Sequence, residues 1–204
     1  MPLKKIYLVR HGQTKFNSLG VVQGRGINSS LDETGRNQAA MFHREYAEVP
    51  FERIYISALK RTFESVRNFI SSGIPFEMDE GLDEISWGIH EGAEASEERN
   101  MYFRETVHAW KRGETELAIE GGESPQDVAD RQKTVIQKII DAPEELILVC
   151  MHGRAMRILL CTLLNLPLSE MDRFEHANLG LYVLEYNSSE FKLLESNSTD
   201  HFHI

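Results

Sequence analysis

The segment "EELILVC" at 144–150 constrains the fold of this chain more than any other. It is a nearly continuous apolar run, without the alternation that would leave one face to water. Such a run suits a strand buried on both faces, as in a parallel sheet covered by helices. It continues into "MHGRAMRILLCTLLNLP", where a histidine and a glycine lead into a helical pattern stopped by Asn165 and Pro167. The start of the chain repeats this plan, because "IYLVRHG" is again a short apolar strand that runs into His-Gly.

Between these two strands the pattern alternates. "FERIYIS" at 51–57 reads as a strand and "ALKRTFESVRNFI" as a helix with Leu59, Thr62, Val66, Phe69 and Ile70 on one face. "GIPFEM" reads as a further strand. Asp32 is placed to N-cap a helix carrying Ala39, Phe42 and Tyr46, and "SEERNMYFRETVHAW" is helical in spacing. Ser124, Pro125 and Asp127 supply an N-cap, a first-turn proline and an N3 acid for another helix. The stretch 79–97 has no clear period and is expected to be a loop. "LGLYVLEY" and "EFKLLES", joined through "NSS", form a hairpin, and 196–204 is expected to fray. Strands alternating with helices predict one α/β domain over 1–204, a three-layer α/β/α sandwich. Its central sheet is mostly parallel, with the hairpin adding an antiparallel edge strand.

Charge narrows the partners. Lysine and arginine total 22 against 32 aspartate and glutamate, a formal net charge of -10. That balance argues against nucleic acid and against anionic membranes, which need positive surface to neutralise phosphates. It leaves room for a small cationic pocket. Cys150 and Cys161 lie in apolar runs and read as small buried hydrophobes, with neither disulfide nor metal-site spacing. The apolar segment after "MPLKK" is too short for a signal core or a membrane span, so a cytoplasmic location is expected. Composition leaves self-association open, a homodimer included.

The two strand ends carry the chemistry. Open α/β sheets bind ligands at the carboxyl ends of their strands. If the two strands are neighbours, His11 and His152 meet, and each following glycine permits a tight turn or a close approach. A histidine that merely caps a strand is the rival reading. Arg10 adjoins His11, Arg61 lies near the start of the helix after the second strand, and a helix begins at Gly153 with N–H groups that favour an anion. Two guanidiniums, two imidazoles and a helix start suit a phosphoryl group. They do not suit a metal ion, which the arginines would repel, and no cofactor is expected. Imidazole can attack phosphorus and hold the phosphoryl group covalently while the leaving alkoxide takes a proton from an acid. Asp79, Glu80, Asp83, Glu84 and Glu91 are the candidates in "DEGLDEISWGIHEG". Composition does not choose among them, and each also reads as a solvated loop carboxylate.

Several segments together resemble one family. "LVRHGQTKFN" is similar to the signature of the histidine phosphatase superfamily, also called the phosphoglycerate mutase-like family. In that family's order follow "GRGINSSLDETGRNQA", "ISALKRTFESV", "LDEISWGIHEG", "GGESPQDVADR", "LILVCMHGRAMRILL" and "NLGLYVLEY". The resemblance implies a phosphoglycerate mutase-like fold, no metal and no bound nucleotide. It implies that His11 is the nucleophile, that Arg10, Arg61 and His152 surround the transferred group, and that Asn17 contacts the same oxygens. Glu84 matches the proton donor and Glu91 a supporting acid. The chain departs from the common pattern at Gln13, Asn28, Ser65 and Arg154. Arg154 follows a His-Gly pair where a small or neutral residue is usual. It is expected either at the pocket mouth, contacting an anionic substrate together with Gly153, or paired with a surface acid. Arg25, His90 and His176 are further candidates, Arg25 reaching the pocket from the loop after Gly24.

Mutases of the glycolytic kind in that family usually carry a longer interval than 93–122 here, so the resemblance implies a phosphatase acting on a small phosphorylated metabolite. A phosphoglycerate mutase-type transfer is the alternative, and a non-catalytic phospho-ligand binding module a lesser one. Trp87, Tyr102, Phe103 and Trp110 line a lid over the substrate or belong to the core.

Overall fold

The structure, a computed structural model, describes residues 3–94 and 96–203. Six strands form one sheet in the order β3-β2-β4-β1-β5-β6. They are β1 (Lys4–Arg10), β2 (Arg53–Ile56), β3 (Phe76–Met78), β4 (Leu146–Met151), β5 (Leu181–Tyr186) and β6 (Phe191–Ser198). The first four run parallel, and the terminal hairpin adds β5 and β6 antiparallel at one edge. The helices are α1 (Lys15–Ser18), α2 (Glu33–Tyr46), α3 (Lys60–Ser71), α4 (Glu97–Lys111), α5 (Pro125–Asp141) and α6 (Gly153–Leu163).

The double burial of 146–151 has a direct structural meaning. Ile147, Val149 and Met151 pack with Val128, Val135, Ala155 and Ile158 of α5 and α6. Leu148 and Cys150 point the other way, to Phe42 of α2 and Val66 and Phe69 of α3. Successive residues of a strand face opposite sides, so a strand between two helical layers must be apolar throughout. The architecture is therefore the expected three-layer α/β/α sandwich. The expected caps also form: Asp32 accepts from Gly35 N, and Ser124 with Asp127 makes a capping box. Both cysteines are buried and free.

Two expectations need correction. The chain from 196 does not fray up to residue 203. β6 runs to Ser198, and a 3-10 turn at Asp200–Phe202 buries His201 between Phe42, Tyr46 and Phe202, so aromatic packing fixes the end. The acidic loop is irregular as expected, with short turns at Glu80–Leu82 and Gly88–His90, but it is not solvated at its centre. Asp83, Glu84, Ile85 and Trp87 are all buried. Among the described residues no helix is long and apolar enough to cross a membrane.

Candidate active site

Strand register brings the two histidines together. β1 pairs β4 with Arg10 opposite Met151, and His11 N donates to Met151 O at 2.9 Å. Both strands thus end at one level, and the rings of His11 and His152 lie 5.1 Å apart. Glycines allow the surrounding backbone to close in. A Cβ on Gly12 would sit 2.8 Å from Gly35 O at the start of α2, and one on Gly153 would meet His176 Cδ2 at 3.1 Å and Arg10 Nε at 3.4 Å.

Hydrogen bonding fixes the tautomers. His11 Nδ1 is 2.7 Å from Gly12 O, a group that can only accept, so Nδ1 carries the hydrogen and Nε2 the lone pair. His152 is the reverse. Its Nδ1 faces Arg61 Nε at 3.1 Å, a donor only, so its hydrogen sits on Nε2, 2.7 Å from Ser57 Oγ. Burial, then the positive charge of Arg61, holds both imidazoles well below the ordinary histidine range. Both are neutral at pH 7.

The arginines sit in different ways. Arg61 is fully buried, donating to Ile27 O at 2.6 Å and Gly24 O at 3.2 Å as well as to His152. Arg10 is anchored by Nη1 to His176 O at 2.7 Å, and its buried Nε has no partner. Burial lowers both guanidiniums to about 10 against the pull of the Glu84 carboxylate, so both stay charged at pH 7. Asn17 Oδ1 accepts from Thr14 N and Oγ1, each at 3.1 Å. A backbone N–H only donates, so the Asn17 amide is oriented with its NH₂ left for the cavity it lines.

Glu84 occupies the helix start that the sequence offered to an anion. Its Oε1 accepts from Ala155 N at 2.8 Å and its Oε2 from Arg154 N at 3.1 Å, the first turn of α6. The loop bearing it is held by Arg131 of α5. That guanidinium donates to the carbonyls of Glu80, Gly81, Asp83 and Glu84 at 2.8 to 3.3 Å and to Glu123. Glu91 supports the same loop by accepting from Trp87 N at 2.9 Å.

A cavity of about 220 Å³ is lined by Arg10, His11, Asn17, Glu84, Gly153 and Arg154 among others, with His176, Gln23, Val21, Val22, Trp87 and Phe103 completing it. His152 and Arg61 are fully buried behind His11. Trp87 and Phe103 are cavity walls, whereas Trp110 is core and Tyr102 bonds Glu120 N. Arg154 lines the cavity and also pairs with Asp172 at 2.6 Å, as a largely buried side chain and not a surface one. His176 lies at the cavity, and His90 packs on Tyr102 and Phe103 outside it. Arg25 does not reach the cavity. It is drawn to Glu80, Asp83 and Glu123, each 3.5 Å away, because three carboxylates converge there.

Sequence reasoning assigned no role to four supporting residues. Ser57 bonds His152, Ser65 Oγ accepts from Gly12 N at 2.9 Å, Asn178 Nδ2 donates to His11 O at 2.9 Å, and Arg131 holds the acidic loop. Each sat in a quoted motif, but its partner lies far away in the chain.

The profile of the Histidine phosphatase superfamily (branch 1) matches residues 6–199, and the chain belongs to that superfamily. "Phosphoserine phosphatase 1" of Hydrogenobacter thermophilus is 27% identical over 97% of this chain and 93% of its own length. "Probable phosphoglycerate mutase GpmB" of Salmonella choleraesuis is 29% identical over 92% of this chain and 87% of its own. The solved structure of Bacillus stearothermophilus YhfR superposes with a TM-score of 0.85 at 28% identity, covering 97% of this chain and 98% of that one. The protein is an enzyme of the phosphatase class.

Proposed function

We propose that the protein hydrolyses a small phosphorylated metabolite, without a metal, through a phosphohistidine on His11. The observation that carries this reading is the tautomer of His11. Gly12 O holds the Nδ1 hydrogen, so the Nε2 lone pair is available on a cavity that Arg10 and Asn17 also line. A neutral, oriented imidazole is the form that attacks phosphorus.

In the first step His11 Nε2 bonds to phosphorus as the ester P–O bond breaks. The departing alkoxide takes a proton from Glu84, which lines the same cavity and must take that proton up before the step, since at rest its two oxygens accept from Arg154 N and Ala155 N as a carboxylate. Arg10, with its unpartnered Nε, and the Asn17 amide stabilise charge on the phosphoryl oxygens. Arg61 adds positive field from behind, and the neutral ring of His152, which accepts from Arg61 Nε, supports the site. In the second step water attacks phosphorus, Glu84 accepts its proton, the P–N bond breaks and inorganic phosphate leaves. The relative named a phosphoserine phosphatase supports a small phosphorylated acid as substrate.

The test is rapid mixing with a radioactive phosphomonoester in the presence of a chelator, quenched in alkali because phosphohistidine is labile in acid. Label on His11 that decays at the rate of phosphate release is expected, and its loss in His11→Ala. Phosphate release without label on His11 would reject the covalent route. Recovery of an isomerised ester instead of phosphate would favour the mutase reading.

A further inference from the structure

Asp172, in the 3-10 segment Leu168–Arg173, has three cations around one carboxylate. Its Oδ1 accepts from Arg154 Nη1 at 2.6 Å and Arg157 Nη1 at 2.7 Å, and Lys111 Nζ of α4 lies 3.4 Å from Oδ2. The local balance is therefore positive by two charges. Arg154 and Arg157 side chains are only 11% and 16% exposed, so solvent ions screen this surplus poorly. Arg157 Nε is buried with no acceptor at all.

Of the three cations, Arg154 is the one that lines the cavity shared with His11. Its guanidinium carbon lies 5.7 Å from the ring centroids of both Trp87 and Trp110. Among the described residues, only its Nη1 donates to a protein acceptor, which leaves the rest of the planar fork uncommitted.

The geometry points to a second anion subsite, in which Arg154 takes a carboxylate on the organic part of the substrate. The inference rests on the phosphatase reading for the phosphoryl end. A carboxylate matches the fork of a guanidinium in two parallel hydrogen bonds, whereas an ammonium would be repelled and an alcohol would leave the charge surplus in place. Arg154 can turn towards such a group without orphaning Asp172, because Arg157 and Lys111 still neutralise that carboxylate. Asp172 thus acts as a parking place for a specificity-determining side chain. The substrate class is a phosphomonoester of a small organic acid.

The experiment compares kcat/KM for 3-phosphoglycerate and glycerol 3-phosphate, which differ by a carboxylate in place of a hydroxymethyl group. Wild type is expected to favour the acid at least tenfold. Arg154→Met should lower that ratio at least tenfold, and Arg154→Lys should keep part of it. A wild-type ratio near one, or equal losses on both esters in Arg154→Met, would overturn the subsite. Asp172→Asn should keep or raise the ratio; a fall as deep as that of Arg154→Met would overturn the exchange. Should Arg154→Met not fold, wild type and Arg154→Lys carry the comparison. If neither ester nor p-nitrophenyl phosphate is hydrolysed, the phosphatase reading fails. Titration calorimetry with the same two esters then decides the subsite by the same tenfold criterion.

Discussion

Arg61 donates its Nε–H to Nδ1 of His152 at 3.1 Å, and this bond decides which nitrogen of His152 bears hydrogen. The remaining Nε2–H needs an acceptor in a fully buried place, and Ser57 Oγ supplies it at 2.7 Å. Ser57 is in turn tied to Thr62 Oγ1 at 3.0 Å and to Leu59 N at 3.2 Å, so the start of α3 and the second histidine share one polar chain. Replacing Ser57 by alanine leaves a buried N–H unpaired, at about 1–3 kcal/mol. A lower melting temperature and roughly a tenfold loss in kcat/KM are expected together. Wild-type turnover in Ser57→Ala would show that the ring of His152 is held by other means.

The pH profile of the reaction follows from the two neutral imidazoles. Both His11 and His152 are held well below 6.5, so lowering the pH through 6.5 does not remove the attacking lone pair. The acid limb of kcat/KM is therefore expected well below the ordinary histidine value. Nitrogen NMR of labelled histidine checks the assignment: a titration of His11 near 6.5 would contradict it.

Stability should fall in acid for a related reason at the other edge of the molecule. His201 is buried among Phe42, Tyr46 and Phe202, and burial lowers it to about 4. Between 6.5 and about 4 the unfolded chain binds a proton that the folded chain does not. Its stabilising share is whole above 6.5 and is lost as the pH falls towards 4, at up to about 1.4 kcal/mol per pH unit. His201→Phe should flatten the melting temperature against pH in that window. An unchanged slope would assign the acid sensitivity to other groups.

Arg131 offers a test remote from the reacting atoms. It binds four loop carbonyls and Glu123, and the loop carries Glu84. Arg131→Met should lower stability by about 1–3 kcal/mol, since several partly buried acceptors lose a charged donor. It should also reduce kcat more than it raises KM, because Glu84 loses its fixed place. Arg131→Lys is expected to rescue little, as an ammonium cannot span that fork of acceptors. Full rescue by lysine would mean that charge alone suffices.

Much of this architecture was legible in the sequence because its signals were local. The continuous apolar run before His152 required helices on both faces, and the matching run before His11 announced a second strand of the same phase. Caps at Asp32 and Ser124 depend on neighbours three residues away and were read correctly. The misreadings concern long-range partners. Arg25 was expected at the cavity from its place after Gly24, but its position is set by Glu80, Asp83 and Glu123, more than fifty residues on. Glu84, not an outside anion, fills the start of α6, a contact across 71 residues that no spacing announces. Fraying is the general expectation for a terminal segment, yet His201 among aromatics anchors residues 200–202, while residue 204 lies outside the described residues.

The order in which the strands are synthesised differs sharply from the order in which they lie. β1, which ends at the attacking histidine, borders only β4 and β5, and both come from the last third of the chain. A nascent polypeptide halted before residue 146 holds β1 with both flanks open. Growth on the ribosome therefore cannot complete this domain from the front. The cup around the attacking histidine can close only once β4 and β5 have both been made, and until then β1 stays unpaired.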